Sequence, residues 1–113
     1  MKFVAIAATV ALLAVPAALA ATPTLVGTVG PGFTITLTKG GKKVSKLKAG
    51  TYLFKIADKA STHDFHLKGP GIDKKTSKAA VVNVTWTLTL KKGKYTYVCD
   101  PHASIMKGSF TVS

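Results

Sequence analysis

The chain has 113 residues, and its 16 basic residues outnumber 4 acidic ones, which gives a formal net charge of +12. Every basic residue is a lysine; without arginine the chain lacks the planar group that makes bidentate contacts to bases and phosphates, which argues against specific DNA or RNA recognition. A single cysteine, Cys99, excludes an internal disulfide framework.

The first twenty residues have the pattern of a secretory signal peptide. Lys2 supplies a positive start, residues 3–15 are apolar, and Ala18-Leu19-Ala20 is a small-x-small cleavage site. We therefore predict a signal peptide over 1–20 and a single mature domain over 21–113, whose net charge is +12 less the charge of Lys2, or +11. We also predict a secreted or periplasmic location, with no stable membrane insertion after cleavage.

Short segments with a two-residue period follow along the mature chain. Residues 33–38 alternate strictly between apolar and polar side chains and predict a strand, which a Gly40-Gly41 turn ends. Residues 52–56 predict a second strand, and residues 63–67 a third with His63 on its inner face. His66 has the opposite parity, so we expect it to face solvent.

The second half of the chain continues in the same way. Residues 68–79 are rich in turn formers and lack an apolar period, which predicts a surface loop. Residues 82–90 alternate clearly, with Trp86 on the core face, and residues 95–99 and 108–112 predict the last two strands. Regular strands without helical periodicity indicate an all-β antiparallel sandwich or small barrel.

Three residues with metal-binding side chains lie close together between the last two strands. Cys99, His102 and Met106 offer a thiolate, an imidazole and a thioether within eight residues. Copper that cycles between two oxidation states prefers this mixture of donors. Pro101 argues against a helix here, so a tight turn must bring the donors together, and the inward His63 is the best source of another ligand.

At these residues the sequence resembles the cupredoxins, the blue-copper family of plastocyanin, pseudoazurin and amicyanin. The run from Tyr95 to His102, followed by Met106-Lys107-Gly108, is similar to that family's Cys-x-Pro-His-loop-Met signature, and His63-Asp64-Phe65 is similar to its upstream His-Asn segment. The resemblance implies a Greek-key antiparallel β-sandwich that holds one copper ion in a type 1 site. It also implies His63, Cys99 and His102 as in-plane ligands, Met106 as the axial ligand, and His102 as the port for electrons.

The sequence departs from the family pattern at two points. The loop between His102 and Met106 is intermediate in length between those of amicyanin and plastocyanin, which affects the reach of the Met106 sulfur. Asp64 stands where the family has asparagine, and an ionised carboxylate accepts hydrogen bonds but cannot donate them. We expect Asp64 to accept from a backbone N–H or hydroxyl near Cys99 or Asp100, and its negative charge to favour Cu(II) and lower the reduction potential.

These features predict a one-electron carrier that is not an enzyme. The alternative is a copper carrier or sequestration protein, which the ligand set alone does not distinguish. A two-copper enzyme such as a nitrite reductase needs further histidines, and only His66 remains after His63 and His102 are assigned. A metal-free structural sandwich is the remaining possibility. An apolar shell of Phe65, Ile105 and Phe110 is expected to limit the access of water to the site.

The lysines have two possible roles. A diffuse positive field would steer a monomeric protein towards an acidic redox partner or an anionic surface, in a manner that weakens with salt. The lysines would equally serve as a solvated coat that keeps the protein soluble, and at the level of the sequence both readings remain open.

Overall fold

The computed structural model describes residues 21–113, so the predicted signal peptide lies outside the described residues. Ten strands and one 3₁₀ helix, Asp100–His102, follow one another in this part of the chain. The strands are β1 (Thr24–Val29), β2 (Ile35–Lys39), β3 (Lys42–Lys43), β4 (Lys46–Leu47), β5 (Gly50–Asp58), β6 (His66–Gly69), β7 (Ile72–Lys75), β8 (Val82–Leu90), β9 (Gly93–Val98) and β10 (Lys107–Val112).

The strands form two five-stranded sheets. The order is β3-β2-β1-β5-β8 in the first sheet and β4-β10-β9-β6-β7 in the second. Most neighbours pair antiparallel, as the sequence predicted, but β1 pairs parallel with β5 and β10 pairs parallel with β4. Alternate side chains of each strand point into the space between the sheets, and this produces the two-residue period of the sequence.

The core between the sheets is mainly aromatic and aliphatic. Tyr95 stacks on Phe110 with ring centroids 5.1 Å apart, and Tyr97 stacks on Phe65 at 5.5 Å. All four side chains are almost fully buried. Trp86 is partly buried and packs against this core, as its parity predicted.

The observed strands differ from the predicted ones at several points, two of which are the start of β2 and the segment after β6. Strand β2 begins at Ile35, so Phe33 does not continue its inner face and is 62% exposed. The segment expected to be a loop contains β7, which pairs with β6 through a turn at Gly71, where φ is +71°. β7 is an edge strand with exposed polar side chains, so it lacks the apolar alternation by which strands are detected.

Among residues 21–113, no helix is long and apolar enough to cross a membrane.

Candidate metal centre

The candidate centre lies at the end of the second sheet, in the turn that joins β9 to β10. Cys99 ends the extended approach, and Pro101 occupies the first turn of the 3₁₀ helix, where its fixed φ is favourable and its missing N–H is not needed. The N–H of Met106 donates to the carbonyl of His102 at 2.8 Å, and the N–H of Cys99 donates to the carbonyl of Met106 at 3.0 Å. The backbone thus closes the loop, with Cys99 and Met106 fully buried.

His63 reaches the centre from a loop and not from the inner face of a strand, because β6 begins only at His66. Its N–H donates to the carbonyl of Ala60 at 3.2 Å, which shapes the loop after β5. Gly30 packs against the ring: a Cβ at this position would lie 2.9 Å from the Cδ2 of His63, and φ is +71°. Any other residue at position 30 would push the imidazole away and strain the backbone.

Three of the predicted ligands converge in the structure. The Nδ1 atoms of His63 and His102 are 3.1 Å apart. The Sγ of Cys99 lies 3.6 Å from the Nδ1 of His63 and 3.5 Å from the Nδ1 of His102. Cys99 and His63 are buried, whereas His102 is partly exposed.

The donor set fits a copper ion. Three ligand atoms arranged trigonally at about 2.0 to 2.3 Å from one ion lie roughly 3.5–3.8 Å from one another. The observed separations of 3.1 to 3.6 Å approach this arrangement. Burial raises the pKa of the Cys99 thiol in the metal-free chain, so metal binding must displace its proton.

Asp64 ties the two ligand segments together as the sequence predicted. Its Oδ1 accepts a hydrogen bond of 2.6 Å from the backbone N–H of Asp100, directly after Cys99. The other oxygen, Oδ2, is the buried side-chain polar atom left without a partner in the described part of the chain. Burial, and next the neighbouring Asp100 carboxyl, raises the pKa of Asp64.

His66 is buried, so the expectation that it faces solvent is wrong. Its parity is the predicted one, but two carboxyl groups cover it: Asp100 lies 2.9 Å from its Nδ1, and Asp73 of β7 contacts its Nε2. Burial alone would lower the pKa of His66, but the hydrogen bonds to Asp100 and Asp73 outweigh that effect and raise the pKa. His66 therefore links β7 to the turn that follows Cys99.

A second buried connection fixes the segment that carries His63. The backbone N–H of Phe65 donates to the hydroxyl of Thr76 at 2.9 Å, and that hydroxyl donates to Oδ2 of Asp58 at 2.9 Å. Thr76 and Asp58 are both buried. The end of β5, the loop after β7 and the start of β6 are thereby joined through one threonine hydroxyl.

Apolar side chains frame the exposed edge of the site. Phe33 packs edge-on against the ring of His102, with centroids 5.0 Å apart, and against His63 at 5.7 Å. Phe65 and Phe110 are buried as predicted, but Ile105 is 63% exposed and does not belong to an inner shell. The expected role of Ile105 in excluding water is therefore wrong, and Phe33 covers the two rings in its place.

Sequence reasoning missed the group around His66 and the bridge through Thr76. The scarcity of acidic residues was a clue to the group around His66, because the chain has only four of them among many lysines. Three of the four, Asp64, Asp73 and Asp100, lie around this histidine. Thr76 gave no signal, because it lies in a polar segment that lacks any period.

A family model described as copper binding proteins of the plastocyanin/azurin family matches residues 35–113. No match was found among curated proteins. Several solved structures of rusticyanin are similar to the chain.

Reduced rusticyanin has a TM-score of 0.61 and 24% identity, with 81% of this chain and 79% of that chain covered. A methionine-to-glutamine mutant of rusticyanin has a TM-score of 0.61 and 25% identity, with coverage of 81% and 78%. Rusticyanin from Thiobacillus ferrooxidans has a TM-score of 0.57 and 25% identity, with coverage of 81% and 77%. These likenesses show that the chain shares the rusticyanin fold.

Proposed function

Because this chain belongs to the plastocyanin/azurin family of copper binding proteins, we propose that it is a one-electron carrier with a single type 1 copper site. His63, Cys99, His102 and Met106 are the residues that would hold the copper ion. Copper bound there would supply Cu(II)/Cu(I) cycling. The proposal depends chiefly on one observation, the convergence of one thiol sulfur and two imidazole nitrogens within 3.6 Å.

The surrounding residues keep the donors in place when the charge of the site changes. The closed Cys99–Met106 turn, the contact of Gly30 with His63 and the bond from Asp100 to Asp64 each restrict a different ligand segment. A site whose ligands cannot rearrange needs little reorganisation when an electron enters or leaves. This rigidity favours electron transfer over the release of a metal cargo.

His102 is the proposed port for electrons. It is partly exposed, while Cys99 and His63 are buried. Phe33, whose ring packs against His102, and Ile105, three residues further along the chain, both expose apolar surface. We call these two side chains the apolar rim. Such a rim suits brief contact with a redox partner, which the positive charge of the chain predicts to be acidic. We further propose that the protein is exported to the periplasm or outside the cell, acts as a monomer and has no enzymatic activity.

The test is the visible spectrum of the protein after addition of Cu(II). Intense thiolate-to-copper absorption is expected in the wild type and in His66→Gln, whose histidine lies outside the proposed ligand set, but not in Cys99→Ser. A pale wild-type protein would contradict the copper site, and a pale His66→Gln variant would contradict the ligand assignment.

Electrochemistry separates an electron carrier from a copper carrier. An electron carrier should give a reversible one-electron wave and keep its copper in the presence of a chelator. Rapid loss of copper to the chelator without reversible electrochemistry would favour the sequestration protein that the ligand set also allows.

A further inference from the structure

The lysines are not spread evenly over the two outer faces of the sandwich. Strand register places five lysines on the outer face of the second sheet, between the strands' serines and threonines. We call this surface the lysine face; its lysines are Lys46, Lys68, Lys75, Lys94 and Lys107. In the paired positions of all five strands, the outer face of the first sheet instead carries eight threonines and two lysines, Lys55 and Lys43. Lys43 belongs to the edge strand β3 and lies close enough to the second sheet to line a groove with Lys94 and Lys107. A coat that served only solubility would not need this segregation.

A shallow groove of about 480 Å³ lies on the lysine face along β9 and β10. Lys94 and Lys107 line it together with Lys43 from β3, and Thr96 and Ser109 are among its polar lining residues. Three ammonium groups and two hydroxyls around one depression suit an anionic headgroup with several oxygen atoms. The one acidic residue that the register places on this face, Asp73, is already paired with His66.

The face lacks the anchors of a specific protein interface. At the positions that the described strands place on it there is no Phe, Tyr or Trp, and Val98 is its one aliphatic side chain. Tight protein partners usually bury aromatic or arginine side chains at the centre of the contact. The lysine face spans five strands, a width of roughly 19 Å across the sheet. A wide array of lysines without such anchors matches a surface on which negative charge is repeated.

From this arrangement we propose that the lysine face binds the anionic phospholipid surface of a membrane. In that orientation the sandwich lies on its side, because the lysine face is a wall of the sandwich and the metal centre lies at its end. His102 and the apolar rim around it then remain open to a partner at the same membrane. Binding to lipid does not itself require the proposed electron transfer, so the two ideas fail independently.

The experiment measures sedimentation of the full-length, copper-loaded protein with vesicles of phosphatidylcholine alone or with added phosphatidylglycerol. Neutral vesicles report any apolar contribution, including that of residues 1–20. Each lysine near an anionic surface changes partition about five-fold, so Lys46→Gln with Lys94→Gln should weaken binding to anionic vesicles roughly 25-fold. The matched control, Lys55→Gln with Lys59→Gln, removes the same charge from β5 of the first sheet and from the exposed residue that follows this strand, and should change binding by less than about two-fold.

Each other outcome overturns the proposal. An equal loss of binding to anionic vesicles in the two double variants would mean that the net charge of the protein, and not the lysine face, causes the binding. Absence of binding to anionic vesicles, or equal binding to neutral ones, would exclude a headgroup interaction. Tighter binding to a poly-glutamate peptide than to vesicles at equal charge concentration would assign the face to an acidic protein. The visible spectrum of each variant, recorded separately, shows whether the copper site is intact.

Discussion

Thr76 allows a quantitative test of how the segment carrying His63 is held. The Thr76→Val substitution keeps the shape of the side chain but removes the hydroxyl that bridges Phe65 and Asp58. The lost bond to a carboxylate is worth about 1.5–3 kcal/mol, and a buried N–H left without an acceptor costs about 1–3 kcal/mol. We therefore expect a destabilisation of roughly 3–5 kcal/mol in the free energy of unfolding.

The matched control is Thr76→Ser, which retains the bridging oxygen and loses one methyl group at a cost of about 1 kcal/mol. For a domain of this size, 1 kcal/mol corresponds to roughly 4–8 °C in melting temperature. Thermal unfolding of the copper-free protein, followed by circular dichroism, should place Thr76→Val at least about 12 °C below the wild type and Thr76→Ser well above Thr76→Val. Melting temperatures of the two variants within about 4 °C of each other would contradict a bridging role for the Thr76 hydroxyl.

Three further substitutions test the contacts around the site. Burial alone would lower the pKa of His66, but its hydrogen bonds to two aspartates raise it, so the stabilisation they give is complete below about pH 6.5 and is lost as pH rises through the folded pKa. The difference in melting temperature between wild type and His66→Gln should therefore narrow from about pH 6 to pH 9. A difference that stays constant over this range would contradict the prediction. Asp64→Asn should raise the reduction potential of the copper site by on the order of tens of millivolts, because a nearby negative charge favours Cu(II). A reduction potential that is unchanged or lower in voltammetry of this variant would refute the prediction. Gly108→Ala puts a methyl group into the ring of Tyr97 and should cost about 1–3 kcal/mol in urea unfolding, while the exposed neighbour Ser109→Ala should cost little.

The fold and the ligand turn were largely predictable from local pattern. Strict alternation over residues 82–90 identified β8, and the Cys-x-x-His run after a strand predicted the turn that brings Cys99 and His102 together. The cupredoxin resemblance drawn from Cys99 to Met106 is confirmed by the family match and by the two-sheet architecture. These features are encoded in neighbouring residues, so a single sequence reveals them.

Features that depend on distant segments were not predictable. Strand β1 reads as a mixed apolar and glycine segment, yet it lies in the middle of its sheet, and the Ile56 and Phe65 side chains pack against its backbone at Gly27. The burial of His66 depends on Asp73 and Asp100, which come from another strand and another turn. Parity gives the direction of a side chain, but it does not reveal what later folds over that side chain.

The position of Ser113, at the end of β10 that is far from the metal turn, has a practical consequence. Ser113 and Pro23 line one depression of about 530 Å³. Strand β10 leads there directly from Lys107, next to the metal turn, and its six residues span roughly 20 Å. A protein immobilised on an electrode through a linker at Ser113 would therefore present His102 outward, and a purification tag at that position would not shield the apolar rim.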